Sequence, residues 1–208
     1  MDRTDARHFS IKEKDFLKKL NTPAKIQDYL NTLNFNFEKN GDTLKSPLDT
    51  LREKNAHCLE GAMLGAYILS QHGYPPLLIH LQTTKNDFDH IVAPFKTNGF
   101  WGALSKTNHA VLRYREPVYK TIRELVMSYF HEYFLNSTGK KTLRRYSMPL
   151  NLSIFEKGWA TLDGDLWGID QELDIIKHYD VLPKKMPPKL RKVDEIEIVA
   201  GKVVEYKN

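Results

Sequence analysis

A single cysteine, Cys58, opens the most unusual stretch of the chain. From it the sequence reads Cys-Leu-Glu-Gly-Ala-Met-Leu-Gly-Ala-Tyr-Ile-Leu, apolar or small at nearly every position except Glu60. A helix apolar on all sides has to be buried, so this segment is expected to be a central helix with Cys58 at or near its N-terminus. Unpaired N–H groups and aligned peptide dipoles at such an end favour an anion, which lowers a thiol pKa and populates the reactive thiolate. The same N–H groups could hold the oxyanion formed when that sulfur attacks a carbonyl. Against this stands the plainer role of a free cysteine, which is to fill space in a core. A nucleophilic thiol also needs a base to take its proton and return it to the leaving group. His90, in Asp87-Phe88-Asp89-His90-Ile91-Val92, enters a predicted strand and is the candidate; the alternative is a surface histidine among aspartates, one of eight histidines in the chain.

The elements that must position these residues follow from capping and periodicity. Ser10 is a plausible N-cap for a first helix through Ile11, Phe16, Leu17 and Leu20. Thr22 with Pro23 starts a second, because proline suits the first helical turn, and Ile26, Tyr29, Leu30 and Leu33 recur at helical spacing. Ser46-Pro47 opens a short helix with Leu48 and Leu51, and Gly73 ends the cysteine helix. Residues 76–81, 90–95 and 100–104 read as strands, with Asn98-Gly99 a strong hairpin signal between the last two. That turn sets His90 opposite Thr107, with Ser105 and Asn108 close by. Residues 110–114 read as another strand, 118–134 as a long amphipathic helix, and 170–178 as a short helix. The segment 183–192 is a proline- and lysine-rich connector, and 196–206 reads as a final hairpin turning at Ala200-Gly201. Helices, then antiparallel strands, then helix again indicate an α+β fold. At 208 residues one domain over 1–208 is expected, with a core at 22–115 and an extension at 116–208.

Several motifs resemble the transglutaminase-like superfamily, a papain-like cysteine hydrolase fold, in its bacterial-type form. They are Pro23-Ala24-Lys25-Ile26-Gln27, Ala56-His57-Cys58-Leu59-Glu60-Gly61-Ala62 and Gly73-Tyr74-Pro75-Pro76. Asp89-His90-Ile91-Val92 then precedes Lys96-Thr97-Asn98-Gly99 and Phe100-Trp101-Gly102-Ala103-Leu104. The resemblance covers about residues 22–108. It implies that Cys58 corresponds to the nucleophile and His90 to the base, with an acid on the next strand orienting the histidine. Counting from Trp101 to the acid's usual place reaches Ser105, which cannot carry a negative charge. Asn108 could accept the ring N–H through its amide oxygen, as an asparagine does in papain-like proteases. His109, Asp87 and Asp89 are further candidates, although Asp89, next to His90, points to the other face of the strand.

The resemblance thus implies a cysteine-dependent amide or ester hydrolase, or an acyltransferase, working through a thioester on a peptide, amide or ester substrate. The missing acid leaves a second reading open, an inactive binding or scaffold protein that uses the basic segment 184–192 as its contact. Nucleic acid is not an expected partner, because the 31 basic residues exceed the 26 acidic ones by only 5 and a solvated basic face is the common case. No cofactor is expected, since neither a dinucleotide fingerprint nor a phosphate-binding loop occurs. Cys58, His57, His80, His90 and His109 are zinc-type ligands without a zinc-type spacing, so no metal is expected either. No apolar stretch approaches a membrane span, no segment near Met1 joins a basic start to an apolar core and a small-residue cleavage site, and a lone cysteine fits a reducing compartment, so the expected address is cytoplasmic.

Overall fold

The helix starts are capped by the residues the sequence offers for the purpose. The computed structural model describes residues 7–156, 158–185 and 190–207. In α1 (Ile11–Lys19) the Ser10 hydroxyl accepts from Glu13 N and the Glu13 carboxylate accepts from Ser10 N, a complete capping box. Thr22 caps α2 (Pro23–Thr32) and Ser46 caps α3 (Pro47–Glu53), each with proline in the first turn. The cysteine helix is α4 (Cys58–Ser70), and a left-handed Gly73 turns the chain out of it. The two-residue strands β1 (Asn34–Phe35) and β2 (Asn55–Ala56) pair in parallel just before it.

The main sheet is built from β3 (Leu77–Gln82), β4 (His90–Thr97), β5 (Phe100–Leu104), β6 (Arg115–Tyr119), β7 (Arg145–Ser147), β8 (Leu150–Asn151) and β9 (His178–Asp180). Its order is β6-β5-β4-β3-β7-β9, with β8 also on β3, and every pairing in it is antiparallel. Asn98 and Gly99 both take positive φ, as the tight hairpin turn requires, and the register runs from Thr97↔Phe100 to Ala93↔Leu104. Alternation along the strands splits the core in two. Leu78, Ile91, Ala93, Phe95 and Leu104 pack with α2, α3 and α4. Ile79, Leu81, Val92 and Ala103 pack with Leu125, Val126, Tyr129 and Phe130 of α5 (Ile122–Phe130). The expected α+β class is what the structure shows: helices cover both faces of an antiparallel sheet. No helix among the described residues is long and apolar enough to cross a membrane.

Four expectations are corrected. The strand expected at 110–114 lies instead at 115–119; Leu112 has φ 60, a left-handed conformation that breaks any ladder there. The helix expected at 118–134 is shorter, because Val118 and Tyr119 finish edge strand β6, which tolerates Pro117, and Thr121 caps α5 only afterwards. The short helix is α6 (Trp167–Ile175), and His178 already belongs to β9. The expected terminal hairpin is mostly α7 (Glu195–Gly201), started when the Glu197 carboxylate accepts the Asp194 N–H at 2.7 Å; only a bridge between His109 and Val204 is strand-like. Of the connector 183–192, residues 186–189 lie outside the described residues.

Candidate active site

Cys58 is the first residue of α4, and the residues around it fix that start. His57 is the N-cap: its Nδ1 accepts from Leu59 N at 3.2 Å and its Nε2 lies 3.0 Å from Thr43 O. The Glu60 side chain, 0% exposed, accepts from His57 N, Lys45 N, Thr43 Oγ1 and Asn36 Nδ2 at 3.0–3.1 Å. Such a fully bonded carboxylate is the form in which a buried charge is tolerated. Farther along α4, Gly61 lies against the stem of Lys106, and a Cβ at Gly65 would come within 2.9 Å of Leu104 Cδ1. Missing side chains on α4 therefore set how closely Cys58 approaches the end of β5.

His90, 5% exposed, is the first residue of β4. Its Nε2 lies 2.8 Å from Ser105 Oγ, and the Ser105 hydroxyl donates to Leu112 O at 2.5 Å. A hydroxyl has one proton, so with it committed to Leu112 the imidazole must donate from Nε2. Nδ1 is then the ring nitrogen left as an acceptor. Leu112, left-handed, is held on its other side by Glu132, which accepts Leu112 N–H at 2.7 Å and pairs with Arg115 at 2.7 Å. The ladder stops at Leu104, so the expected facing of His90 and Thr107 is not formed; Ser105 reaches the ring instead.

Burial alone would push the Cys58 thiol up, but hydrogen bonding and charge from His57 and His90 outweigh it and bring the pKa down to about 5. Burial would likewise lower His57, yet Cys58, the Glu60 charge and the Thr43 carbonyl raise it to about 9. Nδ1 can accept from Leu59 N only while it carries no proton, so a protonated His57 gives up this cap.

Cys58, half-buried, opens on a cleft of about 690 Å³. Phe35, Phe37, Phe88, Tyr133 and Phe134 provide its apolar walls; His57, His90, His109 and Lys106 are its basic residues and Glu38, Asp87, Asp89 and Glu132 its acidic ones. Of the four expected site residues, Cys58, His90 and Ser105 are thus brought together. Asn108 is not: its carboxamide donates to Tyr206 O at 2.9 Å and accepts from Tyr206 N at 2.8 Å, so it braces the C-terminal segment instead of His90. Asp89 turns away, as its neighbour position requires, and bonds His80 Nε2 at 2.8 Å. Sequence reasoning missed the Leu112 carbonyl, which no side-chain pattern could reveal. It also missed the part played by His57, although that residue directly precedes the cysteine.

Residues 15–148 match the family model described as Vasohibin, which is more than half of the chain. The chain belongs to the Vasohibin family. The match contains Cys58, His90 and Ser105 and ends before β8, α6, β9 and α7. Nothing in it points to a bacterial type in particular. Tubulinyl-Tyr carboxypeptidase 1 of Mus musculus is 29% identical over 119 residues, which are 50% of this chain and 32% of that relative. This Vasohibin-family chain therefore matches about a third of that relative's length.

Proposed function

We propose that this protein is a cysteine-dependent peptidase that removes a residue from the C-terminus of a protein or peptide, with Cys58 as nucleophile, His90 as base and Ser105 as the residue orienting His90. The observation that carries the reading is the thiol at the start of α4, held near pKa 5 between two histidines, one fixed through Nε2 on Ser105 Oγ. The order of these residues also agrees with the resemblance to transglutaminase-like hydrolases. In the first half-reaction the Cys58 thiolate attacks the scissile carbonyl, the S–C bond forms, and N–H groups at the start of α4 hold the oxyanion. His90 donates its Nδ1 proton to the leaving amine as the C–N bond breaks, leaving a thioester and the released amino acid. Water, deprotonated by the same nitrogen, then attacks the thioester. The peptide leaves as a carboxylate and Cys58 is regenerated. A reducing compartment such as the cytoplasm keeps the thiol available.

The cleft suits an aromatic C-terminal residue. Five aromatic side chains line it, and Lys106, buried in the wall of the same cleft, is the cation a terminal carboxylate would approach. Burial lowers the Lys106 pKa to about 8, and its ammonium is anchored on the Leu33 carbonyl. A tubulin-like tail ending in tyrosine is therefore the first substrate to offer. Incubation with an acidic peptide ending in Glu-Glu-Tyr, read by mass spectrometry, is expected to show loss of the terminal tyrosine. The same peptide with an amidated C-terminus should resist cleavage. Intact peptide after prolonged incubation with the wild type would favour the inactive scaffold instead.

A further inference from the structure

α2 turns an apolar stripe, Ile26 and Leu30, into the core, yet Gln27 beside it is only 5% exposed. A buried carboxamide has to find partners for two donors and an acceptor. Gln27 spends two of its three bonds on one residue. Ser105 N donates to Gln27 Oε1 at 2.9 Å, Gln27 Nε2 donates to Ser105 O at 2.8 Å, and the second Nε2 proton goes to Asn31 Oδ1 at 2.8 Å. Ser105 is the residue at which β5 has just left its ladder with β4, the last pair being Ala93↔Leu104. Its peptide groups have no strand there to bond. The planar carboxamide takes the place of that strand, and a two-point grip fixes both the position and the rotation of the Ser105 backbone. Rotation matters here, because it aims the hydroxyl that bonds Leu112 O and His90 Nε2.

We propose that Gln27 is a positioning residue for the reaction: it grips the Ser105 backbone so that Ser105 Oγ stays on His90 Nε2. The proposal rests on the Cys58–His90–Ser105 reading above. Gln27 is not among the residues lining the cleft, so it acts through Ser105 and not on substrate. Its loss should lower kcat and leave KM nearly unchanged, because a small misplacement far from the bond being broken weakens the chemical step.

The test is a double-mutant cycle on the full chain, using Gln27→Met, which keeps the volume, with Ser105→Ala and the pair of both. Two readouts apply: kcat and KM on the tyrosine-ending peptide, and the pH profile of Cys58 alkylation by iodoacetamide, which needs no substrate. Gln27→Met is expected to cost about tenfold in kcat and to move the alkylation profile upward. In the Ser105→Ala background it should do neither, since the hydroxyl it aims is gone. Should Gln27→Met not fold, Gln27→Glu keeps the acceptor for Ser105 N–H, loses the donor, and is read in the same way. A purely structural role would lower Tm while leaving kcat and the profile of the folded protein unmoved, or would multiply with Ser105→Ala; either result overturns the proposal alone. If His90→Ala leaves the wild-type alkylation profile in place, the catalytic reading falls, and Gln27 with it.

Discussion

Two histidines on adjacent strands of this sheet keep opposite company. His80 of β3 pairs in register with Ile91, so it projects from the face opposite to His90. It has the partner expected of a catalytic histidine, a carboxylate: Asp89 Oδ2 lies 2.8 Å from its Nε2. Burial would lower its pKa, but the Asp89 hydrogen bond and charge raise it. Around it lie Leu173 O, His178 and Asp174. His90 has only a hydroxyl and a borrowed carbonyl for orientation, yet it faces the cysteine. The acid nearest to His90 in sequence is thus spent on tying down the turn between β3 and β4, where Asp89 Oδ1 also accepts from Thr83 N and Oγ1 at 2.7 and 2.9 Å. The carboxylate–histidine pair braces that turn, whereas the histidine beside the thiol is bonded to a hydroxyl. On the function proposed above, a thiol with a lowered pKa asks less of its base than a serine nucleophile would, so a hydroxyl can serve as orienter.

The contrast can be broken most severely at the nucleophile. Cys58→Ala should reduce peptide cleavage by about 10⁴-fold or more, measured as tyrosine release, because members of such a unit fail together. Ser105→Ala comes next: an expected fall of about tenfold to a hundredfold in kcat, KM nearly constant, as His90 loses its Nε2 partner. Asp89→Asn is the matched change at the other histidine. It should leave kcat and the thiol profile alone and lower stability by about 1 kcal/mol in denaturant unfolding, a modest cost because Asp89 is partly exposed. Its stabilisation has a pH signature. Burial would raise the Asp89 pKa, but the His80 bond, the two Thr83 bonds and the His80 charge together outweigh it and lower it, so this contribution is complete above the unfolded value of about 3.9 and fades as pH falls. His80 has the reverse sign: its contribution is complete below about 6.5 and is lost as pH rises through its raised pKa. Gly61→Ala acts on the approach of α4 to Lys106; crowding is expected to cost about 1–3 kcal/mol against the gain in helix propensity of about 1, for a small net loss in Tm.

Much of the scaffold was legible because its signals are local. Ser10 with Glu13, Thr22 with Pro23, and Asn98-Gly99 each satisfy their own backbone within a few residues, and the structure forms the elements they announce. The run of small residues from Cys58 likewise requires a buried helix whatever surrounds it. The remainder depends on partners distant in sequence. Gln27 grips Ser105 across the core, Asn108 is claimed by Tyr206, and Leu112 takes a left-handed turn that its side chain does not favour. Edge strand β6 and helix α7 were misread for a different reason. Val118-Tyr119 continues an apolar pattern into the next helix, and the alternating Glu-Ile-Glu-Ile of 195–198 imitates a strand until the cap at Asp194 is seen.

Alkylation of Cys58 by iodoacetamide from about pH 4 to 10, in the wild type and in His90→Ala, tests the central claim most directly, since the chain has one thiol and mass spectrometry reads one site. The wild type should titrate with a midpoint at about 5 and the variant well above it. A thiolate held down in this way also stabilises the fold fully above about pH 8.5 and loses that effect as pH falls through about 5, so Cys58→Ala should narrow its stability deficit in acid. A wild-type midpoint near the ordinary value of about 8.5, unmoved by His90→Ala, would contradict the account and leave Cys58 as core packing.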